Sequence, residues 1–124
     1  MDSTARNIVG SLFDLWATAF NDEDPAAVAQ LFSADALFQG LGPKVYIGPT
    51  EIQGYYERVP KGVRVKVDDR DLHARSVLSK GVAGFVRVLF IEASGGERTV
   101  SVSITAQQEG IRWMIKQYHA SETR

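Results

Sequence analysis

Four side chains in the second half of the chain are of types that move protons or hold anions: Asp71, His73, Arg87 and His119. An imidazole titrates near pH 6.5 and can serve as acid, base or hydrogen-bond donor. A guanidinium can clamp a carboxylate or stabilise developing negative charge. Asp71, two residues before His73, would make a base paired with a ring if both reached one cavity. Each also has a plainer reading. His119 would be a strand-end histidine, Arg87 the partner of Asp69 or Asp71, and Asp71 with His73 part of a solvated edge. Tyr55 and Tyr56 offer phenols to a ligand oxygen, with one of them serving core packing. Trp16, Phe20, Phe85 and Trp113 are apolar walls, and Gln39 and Gln117 supply amides to a ligand. Two histidines without motif spacing do not make a metal site. No glycine-rich nucleotide fingerprint occurs, because Gly95-Gly96 reads as a hairpin turn, so no cofactor is expected.

The background to these residues is that of one small domain. The chain has 124 residues, 44% apolar and 23% charged, which is globular rather than disordered. Fourteen basic against fifteen acidic residues leave a net charge of −1, giving no pull toward nucleic acid or anionic lipid. Cysteine is absent, which excludes disulfides, iron–sulfur clusters and thiolate metal sites. No apolar stretch approaches the ~20 residues that span a bilayer. Met1-Asp2-Ser3-Thr4 lacks the basic and apolar regions of a signal peptide. A soluble, cytoplasmic domain is the expectation.

Periodicity supplies the elements that must position the candidates. Ile8, Leu12, Leu15, Trp16, Ala19 and Phe20 recur at helical spacing. Asp24-Pro25 caps a short second helix over Ala26–Phe32. Ala36–Gln39 is a first strand, followed by a Gly/Pro loop and an extended piece at Val45–Ile47. Gly48-Pro49-Thr50 starts a third helix carrying Ile52, Tyr55, Tyr56 and Val59, closed by Pro60 and Gly62. The period then changes to two. Strands are predicted over Val63–Arg75, Val82–Ala93, Thr99–Gln107 and Ile111–His119. Gly95-Gly96 and Glu109-Gly110 read as two-residue turns joining the last three into an antiparallel meander. Helices first and sheet second make an α+β domain.

Those two turns set a register, and directly paired residues share a face. One face then collects Phe85, Arg87, Leu89, Ile91, Val100, Val102, Ile104, Trp113, Ile115, Gln117 and His119, and this face should cover the helices. The other collects Val86, Val88, Phe90, Met114 and Tyr118 beside Ser101, Ser103, Thr105 and Lys116. It is too apolar to stay fully wet, and a homodimer is expected to cover it. On the strand from Val63, the side of Val63, Val65 and Val67 continues to Asp69, Asp71 and His73 unless a bulge intervenes.

The run Trp16–Asn21, then Asp24–Phe32, then Asp35–Phe38 resembles the opening of nuclear transport factor two-like domains, also called SnoaL-like or cystatin-like. Gly48–Ile52 with Tyr55-Tyr56 resembles their third helix. Trp113–Ser121 is similar to the final strand of the SgcJ/EcaC-type subgroup and of calcium/calmodulin-dependent kinase association domains. The resemblance spans nearly the whole chain and implies a cone: three N-terminal helices packed on a strongly curved antiparallel sheet, with a pocket inside. It also implies homodimers through the outer sheet face. The fold hosts isomerases, dehydratases, cyclases, epoxide hydrolases and non-catalytic modules, so it does not fix a reaction. Ketosteroid isomerases carry a base aspartate after the first long strand, whereas Phe38–Pro43 has no carboxylate. The epoxide-hydrolase arginine–aspartate spacing is absent, and no dehydratase motif surrounds His73 or His119.

The expectation is a small-molecule pocket protein holding a mostly apolar or amphipathic ligand inside the cone. Any chemistry would be proton transfer of the cyclase, isomerase or dehydratase kind, with His119 and Arg87 leading and Asp71 and His73 behind them. The alternative is a non-catalytic binding or dimerisation module of the same fold.

Overall fold

The computed structural model describes residues 3–123. The helices come first: α1 Ser3–Asn21, α2 Pro25–Ala29 and, after two strands, α3 Gly48–Glu57. The strands are β1 Phe32–Gln39, β2 Tyr46–Ile47, β3 Arg64–Val77, β4 Gly81–Ile91, β5 Glu97–Glu109 and β6 Arg112–Glu122. They form one six-stranded sheet in the order β2-β1-β6-β5-β4-β3. All neighbours are antiparallel except β1 and β6, which run parallel.

Local chemistry explains the helical half. The Asp24 carboxylate accepts from the Ala27 amide at 3.1 Å, and Pro25 fills a position that lacks an amide partner anyway, so α2 is capped as the sequence predicts. It is shorter than expected, because Phe32 already belongs to β1. The α1 stripe of Val9, Leu12, Phe13, Trp16 and Phe20 is buried against the sheet. Gly84 lets the helix approach: a Cβ there would fall 2.4 Å from a Val9 methyl. Asn21 finishes α1 by pairing with the Val65 backbone in both directions, at 2.8 and 3.0 Å, as a strand residue would.

The register of the sheet departs from the expected one in three places, and each departure turns side chains over. The β4–β5 turn is centred on Ala93-Ser94. Gly95 lies just beyond it, with φ 95°, and its amide closes the turn on the Glu92 carbonyl at 2.8 Å. Val88 consequently opposes Val100, and Val86 opposes Val102. The slip from the expected pairing is an odd number of residues, so the whole strand flips. Val82, Val86 and Val88 are buried on the concave side with Phe90 beside them, while Phe85, Arg87 and Leu89 face outward.

The second departure lies in β6. The pairing of Ala106 with Ile115 gives way to that of Thr105 with Gln117, leaving Lys116 as an extra residue. Trp113 and Ile115 keep the expected side, but Tyr118 and Ala120 then turn inward, and Gln117 and His119 turn outward to exposed positions. The third is the bulge at residues 69–71, between the pairs Asp68–Arg87 and Leu72–Val86. It puts Leu72 inside and sends Asp71 and His73 to the convex face.

Candidate functional site

The concave face of the sheet, α1, α3 and the segment after α3 enclose a cavity of about 300 Å³. Trp16 and Phe20 reach it from α1, Tyr55 and Tyr56 from α3, Phe90 from β4, and Tyr118 and Ala120 from β6. Its walls are aromatic. Phe20 and Phe90 meet edge to face at 5.7 Å, and Phe38 stacks on Tyr118 at 4.6 Å. At the mouth, Arg98 binds Glu92 at 2.6 Å and Glu122 at 3.5 Å, and Lys61 stands on the rim. Behind Phe20, Tyr56 and the residues 59–63 lies a second hollow of about 270 Å³, which Glu23, Asp24 and Glu57 also line.

The polar groups of the cavity form one cluster. The Trp16 indole Nε1–H donates to the Tyr56 oxygen at 2.9 Å. The Tyr118 phenol, whose ring lies 6.1 Å from that of Trp16, lines the same cavity. Burial pushes the Tyr56 and Tyr118 phenols well above their ordinary range, and Tyr55 less far, so all three stay protonated at neutral pH. The Tyr55 oxygen receives the Leu41 amide at 3.4 Å. Gly40 makes that approach possible, because a Cβ there would lie 2.1 Å from the Tyr55 oxygen.

The mouth is braced from outside the cavity. Glu23, itself at φ 55°, accepts from the Gly62 amide at 2.7 Å and from Arg64 at 3.1 Å. These bonds hold its carboxyl below the usual range, the Gly62 amide having the larger effect. They tie the residues 60–63 to the end of α1.

Of the candidates read from the sequence, Trp16, Phe20, Tyr55 and Tyr56 line this cavity. The others lie elsewhere. Arg87 points outward and binds Asp71 at 3.0 Å over the Phe85 ring, and Asp71 also holds His73 at 2.9 Å. The expected Arg87–Asp71 pair thus exists, but on the wrong side of the sheet for a pocket in the cone. His119 and Gln117 are exposed on that same convex side. Gln39 donates to the Gly42 and Pro43 carbonyls at 3.3 Å and so shapes the loop that carries Leu41. Trp113 is half-buried in an open depression beside α1. Val86, Val88 and Phe90, expected on a dimer face, belong to the interior.

Sequence reasoning missed Tyr118, Phe90, Ala120 and the Glu92–Arg98 pair. A signal for the first three existed. Val82, Val86, Val88 and Phe90 form an unbroken apolar phase, while the alternate phase contains Arg87. In β6 the apolar phase changes from Trp113 and Ile115 to Tyr118 and Ala120, which is the mark of a bulge.

Among the described residues, no helix is long and apolar enough to cross a membrane, and no cluster of His, Asp or Glu has metal-binding geometry.

A model of the SnoaL-like domain family matches residues 9–123, and the chain belongs to that family. Solved structures agree on the fold. An uncharacterised cystatin-like protein from Caulobacter vibrioides superposes with a TM-score of 0.84 at 14% identity, over 98% of this chain and 91% of that one. A putative calcium/calmodulin-dependent protein kinase II association domain from Xanthomonas campestris gives 0.79 at 17% identity, over 93% and 85%. A ketosteroid isomerase-like protein from Erwinia carotovora atroseptica gives 0.78 at 16% identity, over 95% of both chains. No curated protein matches the chain.

Proposed function

We propose that the protein binds a mostly apolar small molecule in the concave cavity. The carrying observation is the cavity itself: about 300 Å³, walled by Trp16, Phe20, Tyr55, Tyr56, Phe90 and Tyr118, with charged groups only at the mouth. That volume is at the lower end of the range used for small ligands, and an apolar lining with few polar groups is the usual form of such sites. Trp16 makes the test direct. An apolar fluorescent naphthalene probe should quench or shift the indole emission on binding. Val63→Phe, on the cavity wall, should leave the circular dichroism spectrum intact and weaken the probe about tenfold or more. Unchanged probe affinity in a folded Val63→Phe protein would overturn the reading.

A second reading, proton transfer of the isomerase, cyclase or dehydratase kind, is favoured by Glu92. It is the one carboxylate among the described residues that line this cavity, and Arg98 holds it in place. This reading moves the acid–base role from His119, Arg87, Asp71 and His73 to Glu92. It requires turnover that Glu92→Gln abolishes while probe binding persists.

A further inference from the structure

Resting on the binding-cavity reading above, we propose that residues 59–63 form a movable strap, latched by Glu23, that controls entry to the cavity. The strap has empty space on both sides. Val59, Pro60, Lys61 and Val63 line the binding cavity of about 300 Å³ and also the second hollow of about 270 Å³. Phe20 and Tyr56, edge to face at 6.0 Å, are walls of both. One run of chain is therefore the partition between the two spaces. Protein interiors are otherwise close-packed, so a run with a void on each side loses few contacts when it lifts. Lifting it joins the two hollows over Phe20 and Tyr56.

Little holds the strap down. Among the described residues, one hydrogen bond joins the backbone of residues 60–63 to a distant part of the chain: the Gly62 amide donates to the Glu23 carboxylate at 2.7 Å. Pro60 has no amide to offer. Gly62 stands at φ 88° against Ala93, where a Cβ of its own would fall 2.9 Å from the Ala93 methyl, so this seat is shaped for glycine. The latch has its own mark in the backbone. α1 closes with the Asp24 amide on the Ala19 carbonyl and the Glu23 amide on the Phe20 carbonyl, both at 3.0 Å. Such a closure puts one residue in the left-handed region, and glycine is its usual occupant. Here that residue is Glu23, at φ 55°. A glutamate in a glycine's position is strained, and the carboxylate offsets the strain by reaching Gly62 and Arg64 at the far end of the strap.

The experiment uses Glu23→Asn, because asparagine suits the left-handed backbone and its side chain is one carbon shorter. Hydrogen exchange at pH 7 should show the Gly62 amide of the variant exchanging about tenfold faster or more, the loss of one charge-assisted bond. Amides of β4 and β5 should keep their parent rates. Stopped-flow mixing with 2-ethylnaphthalene, followed by tryptophan emission, then reads the gate. Association and dissociation should both quicken about threefold or more, with Kd within about twofold of the parent value. Glu23 lines the second hollow and not the binding cavity, so its loss shifts free and bound protein alike. A residue that only supported the fold would weaken the probe without quickening both rates. One readout needs no variant: Gly62 exchange in the parent should be insensitive to low urea, the sign of local opening. Gly62 exchange that followed global unfolding, or that stayed at the parent rate in Glu23→Asn, would overturn the inference. So would unchanged probe kinetics, or a Kd about tenfold weaker in the folded variant, and each leaves the cavity reading standing. If the parent binds no 2-ethylnaphthalene, the cavity reading fails and the strap has nothing to admit.

Discussion

The two faces of the sheet are built from the same four long strands and alternate residue by residue, yet they share almost no chemistry. The concave face carries Val82, Val86, Val88, Val100, Val102, Ile104, Tyr118 and Ala120, all buried, and the polar groups deep against it are the Tyr118 phenol with Tyr56 and Trp16 from the helices. The convex face carries Ser101, Ser103, Thr105, Gln117 and His119, with Phe85 and Leu89 half-exposed around the Arg87–Asp71–His73 group. Charges on the convex side keep water on at least one flank, whereas the concave side could admit a charge only at heavy cost. The difference teaches where function can lie. The histidines, Asp71 and Arg87 collected on the outside, and the depth of the cavity was left to groups that donate hydrogen bonds without ionising, with Glu92, Arg98 and Lys61 lining its mouth.

The sharpest way to break this comparison is to place the same charge on adjacent residues. Val88 is fully buried, and Leu89 lies on the other face. Val88→Glu should cost several kcal/mol, enough to unfold a domain with an ordinary margin of about 5–15 kcal/mol, or nearly so. Leu89→Glu should fold with its melting temperature within a few degrees of the parent. The second variant also tests assembly. We propose that a second copy covers the convex face around Phe85 and Leu89, replacing the Val86, Val88 and Phe90 surface expected from sequence. Light scattering should then give a dimeric mass for the parent and a monomeric mass for Phe85→Lys combined with Leu89→Glu. A monomeric parent would end the proposal.

The pH limits of stability should divide between cavity and exterior. Burial raises the folded-state values of Tyr55, Tyr56 and Tyr118 above the ordinary 10.0. Their contribution is then whole below about pH 10 and is lost as pH climbs from there through the raised values. Glu23 is lowered by the Gly62 amide and Arg64, and Asp35 by Lys116 and Ser33, from 4.5 and 3.8 respectively. Their contribution is present above those ordinary values and is lost as pH falls through the lowered ones. Urea titrations should therefore lose midpoint at both ends. Tyr118→Phe should flatten only the alkaline limb, and Glu23→Gln only the acid limb. A variant that moved the opposite limb would contradict the division.

Arg87 gives a smaller effect and separates the two registers cleanly. A pair buried in the cone would cost about 3–5 kcal/mol when broken. On the convex face, with the Arg87 and Asp71 side chains both more than a third exposed, Arg87→Met should cost less than about 1 kcal/mol. Urea denaturation at pH 7 distinguishes the two values.

The helices, the cap of α2, the strand count and the fold class were legible from periodicity and from Asp24-Pro25 and Gly48-Pro49. Half of the cavity was legible too, because Trp16, Phe20, Tyr55 and Tyr56 lie on helices, whose faces do not depend on register. The other half was lost to strand pairing. A turn centre misplaced to Gly95-Gly96 flips β4, and the single extra residue Lys116 flips the end of β6. A period of two leaves no intermediate error: each slip exchanges inside for outside. Gly95 misled because glycine with positive φ is needed just after this turn rather than at its centre. The phase of the valines was the better guide, since a phase containing an arginine is the poorer core.

His119 gives the smallest expected effect and the most direct test of that register. Had β6 run without a bulge, the imidazole would face the helices, and its loss would move both folding and ligand binding. The extra residue at Lys116 instead sends it outward, opposite Ser103 and Gln39. It is exposed there, while Tyr118 beside it is 4% exposed and takes the place in the cavity. An exposed side chain without a special role changes stability by no more than about 0.5 kcal/mol when replaced. His119→Gln should therefore leave the urea midpoint and the naphthalene-probe affinity at parent values, and the probe affinity should remain flat between about pH 5 and 8. A His119→Gln variant that lost probe binding while still folded would mean that the strand faces the other way, and the phenol cluster would have to be rebuilt around the imidazole.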